Sequence, residues 1–180
     1  MANEEKDEAH EPVVGTTALL LQLPDLAAHL KPWVDQWPHE GFTTHVTILV
    51  PFVSDAELGE GELAELRAIF EGFAAFDVTF ARSARFATVL YLAPEPEQPF
   101  RAMTSAVYER WPQCPPYAGV YPDATPHVSV VYHPTAGQFE AVERELAARL
   151  PLTARAAAVD LLVYDGSRWN LRERFPLRAS

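Results

Sequence analysis

The chain has 180 residues, and 48% of them are hydrophobic, which allows one domain with a substantial core and excludes disorder along the whole length. Its formal net charge is −11, with 25 acidic residues against 14 basic ones, and this balance argues against an extended nucleic-acid surface. The single cysteine, Cys114, excludes internal disulfides and cysteine-rich metal sites.

The N-terminal segment 1–12 is acidic and polar, unlike a secretory signal peptide, and we expect it to be a disordered tail. The remaining residues, 13–180, are expected to form one domain. No apolar run approaches the roughly 18 residues that a membrane span requires. We therefore expect a cytoplasmic monomer without membrane attachment.

The first half of the chain alternates between strand and helix patterns. The helix patterns begin near residues 26, 54 and 100, and end near residues 37, 70 and 111. Strands are predicted at residues 13–23, 43–52, 76–82 and 86–93, and the last two form a hairpin.

The second half begins with segment 112–126, which holds five prolines among fifteen residues and is predicted to be an irregular loop. The patterns that follow predict a strand, a helix and two further strands, at residues 127–133, 136–150, 152–164 and 169–177.

Two tetrapeptides in these predicted strands share one pattern: a histidine, an apolar residue, a hydroxyl residue and an apolar residue. Successive side chains of a strand point to opposite faces, so the histidine and hydroxyl of each copy are expected to share a face. The copies are His45-Val46-Thr47-Ile48 and His127-Val128-Ser129-Val130.

Each motif strand is followed by a predicted helix, strand, turn and strand. The motifs are 82 residues apart, from position 45 to position 127, and the same offset carries Phe76 onto Ala158 in a corresponding predicted strand. This repetition predicts an internal duplication. We expect an α+β, bilobal fold, in which two pseudo-twofold related lobes have antiparallel sheets that face a central cleft.

In such a fold His45 and His127 would flank the cleft from opposite sides. Histidine exchanges protons near neutral pH, so one ring can deprotonate an attacking water while the other protonates a leaving alkoxide at phosphorus. Thr47 and Ser129 can hydrogen-bond the non-bridging phosphate oxygens as charge develops on them. This scheme requires no metal and no cofactor.

The paired motifs resemble those of the 2H phosphoesterase superfamily, and specifically its 2′-5′ RNA ligase-like (LigT-like) family. The resemblance covers about residues 13–178 and extends to the segments "HVTILVPF", "RFATVLYLAPEPEQPFRAMT", "PPYAGVYPDATPHVSV" and "RWNLRERFPL". It implies a bilobal fold and metal-independent chemistry on 2′,3′-cyclic phosphates or 2′-5′ linkages. It also implies catalytic roles for His45, Thr47, His127 and Ser129.

The family name includes ligation, but a ligase of the lysyl-adenylate type needs a nucleophilic lysine. The chain has only Lys6, in the expected tail, and Lys31, and it has no P-loop signature. Any ligation would then reverse the opening of a cyclic phosphate. The sequence favours hydrolysis.

Several other side chains are candidates for lining the cleft, although arginines are more often surface residues and strand aromatics are more often core or interface residues. We interpret three arginines as surface residues, four aromatic residues as core or wall, and His133 as a strand-end residue. The remaining histidines are expected to face solvent. The arginines are Arg85, Arg101 and Arg168; the aromatic residues are Phe42, Phe86, Tyr91 and Tyr117; the solvent-facing histidines are His10, His29 and His39.

Two alternatives stay open. The histidines could be ligands of a metal-dependent hydrolase, although one ligand per strand is a sparse set. The fold could also be a non-catalytic module that binds a nucleotide or phosphorylated ligand. The expected partner is a small nucleotide or an RNA-terminus phosphate ester, and neither the substrate nor the acid and base roles follow from the sequence.

Overall fold

The computed structural model describes residues 11–35, 43–133, 135 and 137–179. Most of the expected tail lies outside this range, and so do the candidates His10, His39 and Phe42. Eight strands and four α-helices are present in the described part. The strands are β1 Thr17–Gln22, β2 His45–Leu49, β3 Phe76–Arg85, β4 Val89–Glu95, β5 Val128–Tyr132, β6 Leu152–Ala156, β7 Ala158–Tyr164 and β8 Trp169–Pro176. The helices are α1 Ala27–Val34, α2 Glu60–Glu71, α3 Gln98–Arg110 and α4 Gln138–Ala147.

The strands form two four-stranded antiparallel sheets. The first sheet has the order β2-β1-β7-β8 and the second has the order β5-β4-β3-β6. Each sheet therefore has one motif strand, β2 or β5, at its edge. This arrangement confirms the predicted α+β fold with two antiparallel sheets.

The two sheets are built by the same sequence of connections. A strand leads through a helix to the motif strand beside it, by β1-α1-β2 in one sheet and by β4-α3-β5 in the other. The third strand is β7 in the first sheet and β3 in the second. Ala158 and Phe76 are the first residues of these two strands, so the offset of 82 residues connects equivalent positions.

The hairpins are exchanged between the sheets, which the sequence repeat does not reveal. The first motif strand shares its sheet with β7 and β8 from the second half of the chain. The second motif strand shares its sheet with the hairpin of β3 and β4 from the first half. A sequence repeat and a lobe are therefore not the same unit.

The prediction of one strand over residues 152–164 is wrong. The chain changes sheets at Ala157, because β6 pairs with β3 whereas β7 pairs with β1 and β8. Strand β6 alternates between buried and exposed residues at the edge of its sheet, and β7 has a continuous buried run at the centre of the other. Both patterns are typical of strands, and no glycine or proline marks the crossing.

Helix α2 begins later than residue 54, at Glu60, after a short 3₁₀ turn over Asp55–Glu57. The Gly59 amide donates a hydrogen bond of 2.9 Å to the Glu62 side chain, which satisfies a helix N-terminus that lacks a hydroxyl cap. Leu63, Leu66 and Phe70 form the buried face of the helix.

Helices α1 and α3 hold the two motif strands together. Helix α3 follows a strand of the second sheet but packs against β2, and α1 follows a strand of the first sheet but packs against β5. The Thr104 hydroxyl of α3 donates a 2.8 Å hydrogen bond to the Ile48 carbonyl of β2. The two motif strands also contact each other, so the sheets meet at the edges that carry the motifs.

The main core is apolar and aromatic and extends through both sheets and their helices. Phe70 of α2 packs against Phe175 of β8 with ring centroids 5.6 Å apart, and both residues are fully buried. Among the described residues, no helix combines the length and the apolar composition needed to cross a membrane.

Replacing Phe175 with alanine is expected to lower the free energy of unfolding by about 3–5 kcal/mol, because it leaves a cavity in this core. Urea denaturation followed by circular dichroism measures the change. Leu171→Ala on the same strand is the matched control, since Leu171 is 54% exposed and its loss should cost less than about 0.5 kcal/mol. Equal losses for the two variants would contradict the assigned core.

Candidate active site

The two motifs show the same alternation of burial. In the first, His45 and Thr47 are half-buried, while Val46 and Ile48 are buried. The second motif repeats this pattern, since its histidine and serine are half-buried and its two valines are buried. The valines and the isoleucine thus attach each motif strand to the core, and the histidine and hydroxyl of each strand share its other face.

Both histidines are anchored through the same ring nitrogen. His45 Nδ1 lies 2.8 Å from the carbonyl oxygen of Thr43, and His127 Nδ1 lies 2.8 Å from the carbonyl oxygen of Thr125. A carbonyl only accepts hydrogen bonds, so Nδ1 carries a proton in each ring. The anchor therefore makes Nε2 the nitrogen at which each ring gains or loses a proton.

The structure brings residues of both motifs to one cleft. A small cleft lies between α1 and the two motif strands. His45 lines it from the first motif and Ser129 from the second, whereas Thr47 and His127 are not among its described lining residues. The other described residues that line it are Val34, Thr43, Thr44 and Tyr132.

A tyrosine interacts with each motif hydroxyl. Tyr117 lies beside Thr47, and Tyr132 lies beside Ser129. Burial raises the pKa of Tyr117 to about 12, and burial also raises the pKa of Tyr132. Both phenols therefore keep their protons at neutral pH and add no negative charge beside the hydroxyls.

The partnership of Tyr132 with Ser129 could not be predicted from the sequence, for a structural reason. Ser129 precedes Tyr132 by three positions, so strict alternation would place the two side chains on opposite faces of the strand. Leu90 and Tyr91 of β4 face Val131 and Ser129, so Val130 is an extra residue in β5 and interrupts that alternation. Such a bulge brings the tyrosine back to the face of the serine.

Tyr117 reaches Thr47 from the proline-rich loop, in a 3₁₀ turn over Pro116–Gly119. Its amide donates a 2.7 Å hydrogen bond to the Val50 carbonyl just beyond β2. Tyr117 and Ala118 have φ angles of 51° and 52°, in the left-handed region that is costly for residues with a side chain. The contacts to β2 hold the loop in this conformation.

Aromatic rings surround His127. The Phe86 ring meets the imidazole edge-to-face at 5.0 Å between centroids, and the Tyr91 ring does so at 5.5 Å. Burial among these rings lowers the pKa of His127, and the hydrogen bond to the Thr125 carbonyl offsets this only in part. The neutral imidazole is thereby favoured. Phe86 and Tyr91, which the sequence placed as core or wall residues, are the wall of this histidine.

Two of the three arginine candidates form ion pairs with carboxylates, and the third is exposed in a turn. Arg85 binds the carboxylates of Glu140 and Glu143, and Arg101 binds those of Asp123 and Glu97. Arg168 is exposed in the turn between β7 and β8.

A different arginine lies on the same sheet face as the first motif. Strand register aligns Arg174 with Asp160, Leu20 and Thr47 across the first sheet, so these four residues share a face. No sequence pattern points to Arg174, because its position depends on the exchanged hairpin. His133 follows β5 directly with a φ of 44°, in keeping with its interpretation as a strand-end residue.

Metal-ligand side chains are dispersed over the described part of the chain. Within these residues, no group of three or more His, Cys, Asp or Glu side chains is placed to hold a metal ion. The candidate site thus consists of imidazoles, hydroxyls, phenols and backbone carbonyls.

Comparison with known proteins places these features in a wider context. The model of the 2′-5′ RNA ligase superfamily matches residues 16–168. No curated protein matches the sequence. Escherichia coli LigT in its apo form superposes with a TM-score of 0.61 and 13% identity, over 93% of this chain and 99% of that one.

Two further solved structures give similar values. TT0787 of Thermus thermophilus has a TM-score of 0.57 and 18% identity, over 92% of this chain and 99% of its own. E. coli LigT complexed with 3′-AMP has a TM-score of 0.55 and 13% identity over the same shares. At these identities the likeness establishes a common fold.

The ring nitrogens of His127 are expected to titrate below the ordinary histidine pKa of 6.5, because burial disfavours the imidazolium. Replacing Phe86, which is 38% exposed, with alanine admits water and should move this pKa back up towards 6.5. NMR titration of the ring resonances measures both values. A His127 pKa unaffected by Phe86→Ala would contradict the assigned cause.

Proposed function

We propose that the protein is a metal-independent phosphoesterase. The chain belongs to the 2′-5′ RNA ligase superfamily, and this membership supports phosphoesterase-type activity. Its substrates are 2′,3′-cyclic phosphates or 2′-5′ phosphodiesters of small nucleotides or RNA ends. The main observation behind this proposal is that one arrangement occurs once in each sheet. In it, a histidine anchored at Nδ1 shares a strand face with a hydroxyl residue.

In the proposed reaction His127 is the general base and His45 is the general acid. Its aromatic surroundings favour the neutral form of His127, whose Nε2 can then take a proton from water. The water oxygen bonds to phosphorus as the bond from phosphorus to a ribose oxygen breaks. His45 Nε2 gives a proton to that oxygen, and the products are a phosphomonoester and a hydroxyl.

Thr47 and Ser129 bind the phosphate in this scheme. A hydroxyl that donates to a non-bridging oxygen stabilises the charge that grows there in the transition state. The neutral phenols of Tyr117 and Tyr132 lie beside these hydroxyls and would orient them. A small anionic ligand is also consistent with the relatives, since E. coli LigT has been solved with 3′-AMP and with phosphate.

The test is hydrolysis of 2′,3′-cyclic AMP by the wild-type protein and by His45→Ala and His127→Ala. Each substitution removes a proton-transfer group and should lower kcat by about 10²- to 10⁴-fold. His29→Ala, in the exposed part of α1, is the matched control and should leave kcat unchanged. Wild-type activity should persist in excess EDTA, and its loss there would favour a metal-dependent hydrolase.

The same assay separates other outcomes. The acid limb of kcat/KM reports the base of the free enzyme, so the role given to His127 places that limb below pH 6.5. A panel of RNA ends, 2′-5′ dinucleotides and ADP-ribose cyclic phosphate identifies the preferred substrate. Binding of 2′,3′-cyclic AMP without turnover of any substrate would contradict the proposal and indicate a binding module.

Thr47→Val keeps the shape of the side chain and removes its hydroxyl, and it should lower kcat by about 10²- to 10³-fold with a smaller change in KM. Ser129→Ala should have an effect of the same kind. Thr153→Val, at an exposed position of edge strand β6, is the control. Steady-state kinetics with 2′,3′-cyclic AMP measures the effects, and a rise in KM at unchanged kcat would assign the hydroxyls to ground-state binding instead.

A further inference from the structure

Asp160 is a buried carboxylate at the centre of the first sheet, with only 1% of its surface exposed. Its oxygens accept hydrogen bonds from Arg174 Nε at 2.7 Å and from Arg174 Nη2 at 2.8 Å. The Gln22 side-chain amide also donates to Asp160. The Arg174 side chain is itself exposed, so a buried carboxylate is paired with a surface guanidinium, and its contacts invite a functional explanation.

The carboxylate fixes the orientation of the Gln22 amide. An ionised carboxylate only accepts hydrogen bonds, so the NH₂ group of Gln22 must face Asp160. The amide oxygen Oε1 then faces the other way, and it accepts a 3.1 Å hydrogen bond from the Thr43 backbone amide. The charge on Asp160 thus determines which end of Gln22 meets the chain before β2.

Thr43 is the residue that anchors His45. Its amide is held by Gln22, and its carbonyl accepts the His45 Nδ1 proton at 2.8 Å. The next residue, Thr44, is fixed on both sides: its carbonyl accepts from the Leu23 amide at 2.7 Å, and its hydroxyl donates to the Leu23 carbonyl at 2.7 Å. Gln22 is also the cross-strand partner of His45.

We propose that Gln22, oriented by the Asp160–Arg174 pair, is a positioning residue that sets the tautomer and ring direction of His45. The effect on turnover rests on the proposed function, whereas the effect on the ring does not. Gln22 does not act on His127, whose anchor residue Thr125 is held differently. There the Thr125 hydroxyl donates to Asp123 at 3.2 Å, and Asp123 pairs with Arg101.

The experiment compares the wild-type protein with Gln22→Leu, which keeps side-chain bulk and removes both hydrogen bonds. Long-range ¹H–¹⁵N NMR spectra of the histidine rings report the tautomer. In spectra of the neutral rings, wild-type His45 should show Nδ1–H alone, and the variant should show a mixture with the Nε2–H tautomer. The signals of His127 should stay unchanged in the same sample, which makes that ring an internal reference.

Kinetics with 2′,3′-cyclic AMP provides the second measurement. Gln22→Leu should lower kcat by about 10- to 100-fold with little change in KM, because a misdirected ring fails in proton transfer while the phosphate contacts remain. Gln113→Leu, at an exposed position of the proline-rich loop, is the matched control for both measurements. Gln22→Met, which is unbranched and also lacks hydrogen-bonding groups, serves if Gln22→Leu does not fold.

The outcomes are distinguishable. If the folded variant keeps the Nδ1–H signature of His45, the proposal is overturned. Equal changes at His45 and His127 would indicate a general structural effect and would also overturn it. If the His45 tautomer shifts but the wild-type protein turns over no cyclic phosphate, the positioning role stands and the proposed function fails.

Discussion

The packing of α3 on β2 and of α1 on β5 is the constraint on which the candidate site depends. Each motif strand is an edge strand, and an edge strand alone offers one histidine and one hydroxyl to solvent. Because each strand is covered by a helix that connects strands of the other sheet, neither sheet can move far without disturbing its partner. This interlocking is also the reason that we propose one domain over residues 13–180.

The pseudo-symmetry of the site is clearest in its backbone. Both histidines use Nδ1 to bind the carbonyl two residues earlier, so the local backbone repeats. Phe86 and Tyr91 pack against His127, and burial favours its neutral form. A reaction at phosphorus requires one group to accept a proton while another donates one. In the proposed reaction the neutral imidazole of His127 takes the accepting role.

Sequence periodicity was sufficient to predict the features that depend on local pattern. These are most strands and helices, the shared face of each histidine with its hydroxyl, and the equivalence of Phe76 and Ala158. Features that depend on which strands pair were out of reach. The sheet change at Ala157, the return of Tyr132 to the face of Ser129 through a bulge, and the alignment of Arg174 with Thr47 all follow from register. One sequence carries no signal for register until the partners are known.

Charge bears on which phosphate esters the proposed site would accept. The chain carries a formal net charge of −11, and the arginine that shares a face with Thr47 is paired with the carboxylate of Asp160. In the proposed reaction the phosphate meets the neutral hydroxyls of Thr47 and Ser129 and the imidazolium of His45. Such a site would suit an ester that carries a single negative charge, as a cyclic phosphate does. Every additional phosphate of a long RNA would bring a further charge close to an acidic surface, and repulsion would slow its approach. We therefore propose small cyclic phosphates, rather than the interior of a polynucleotide, as the substrates.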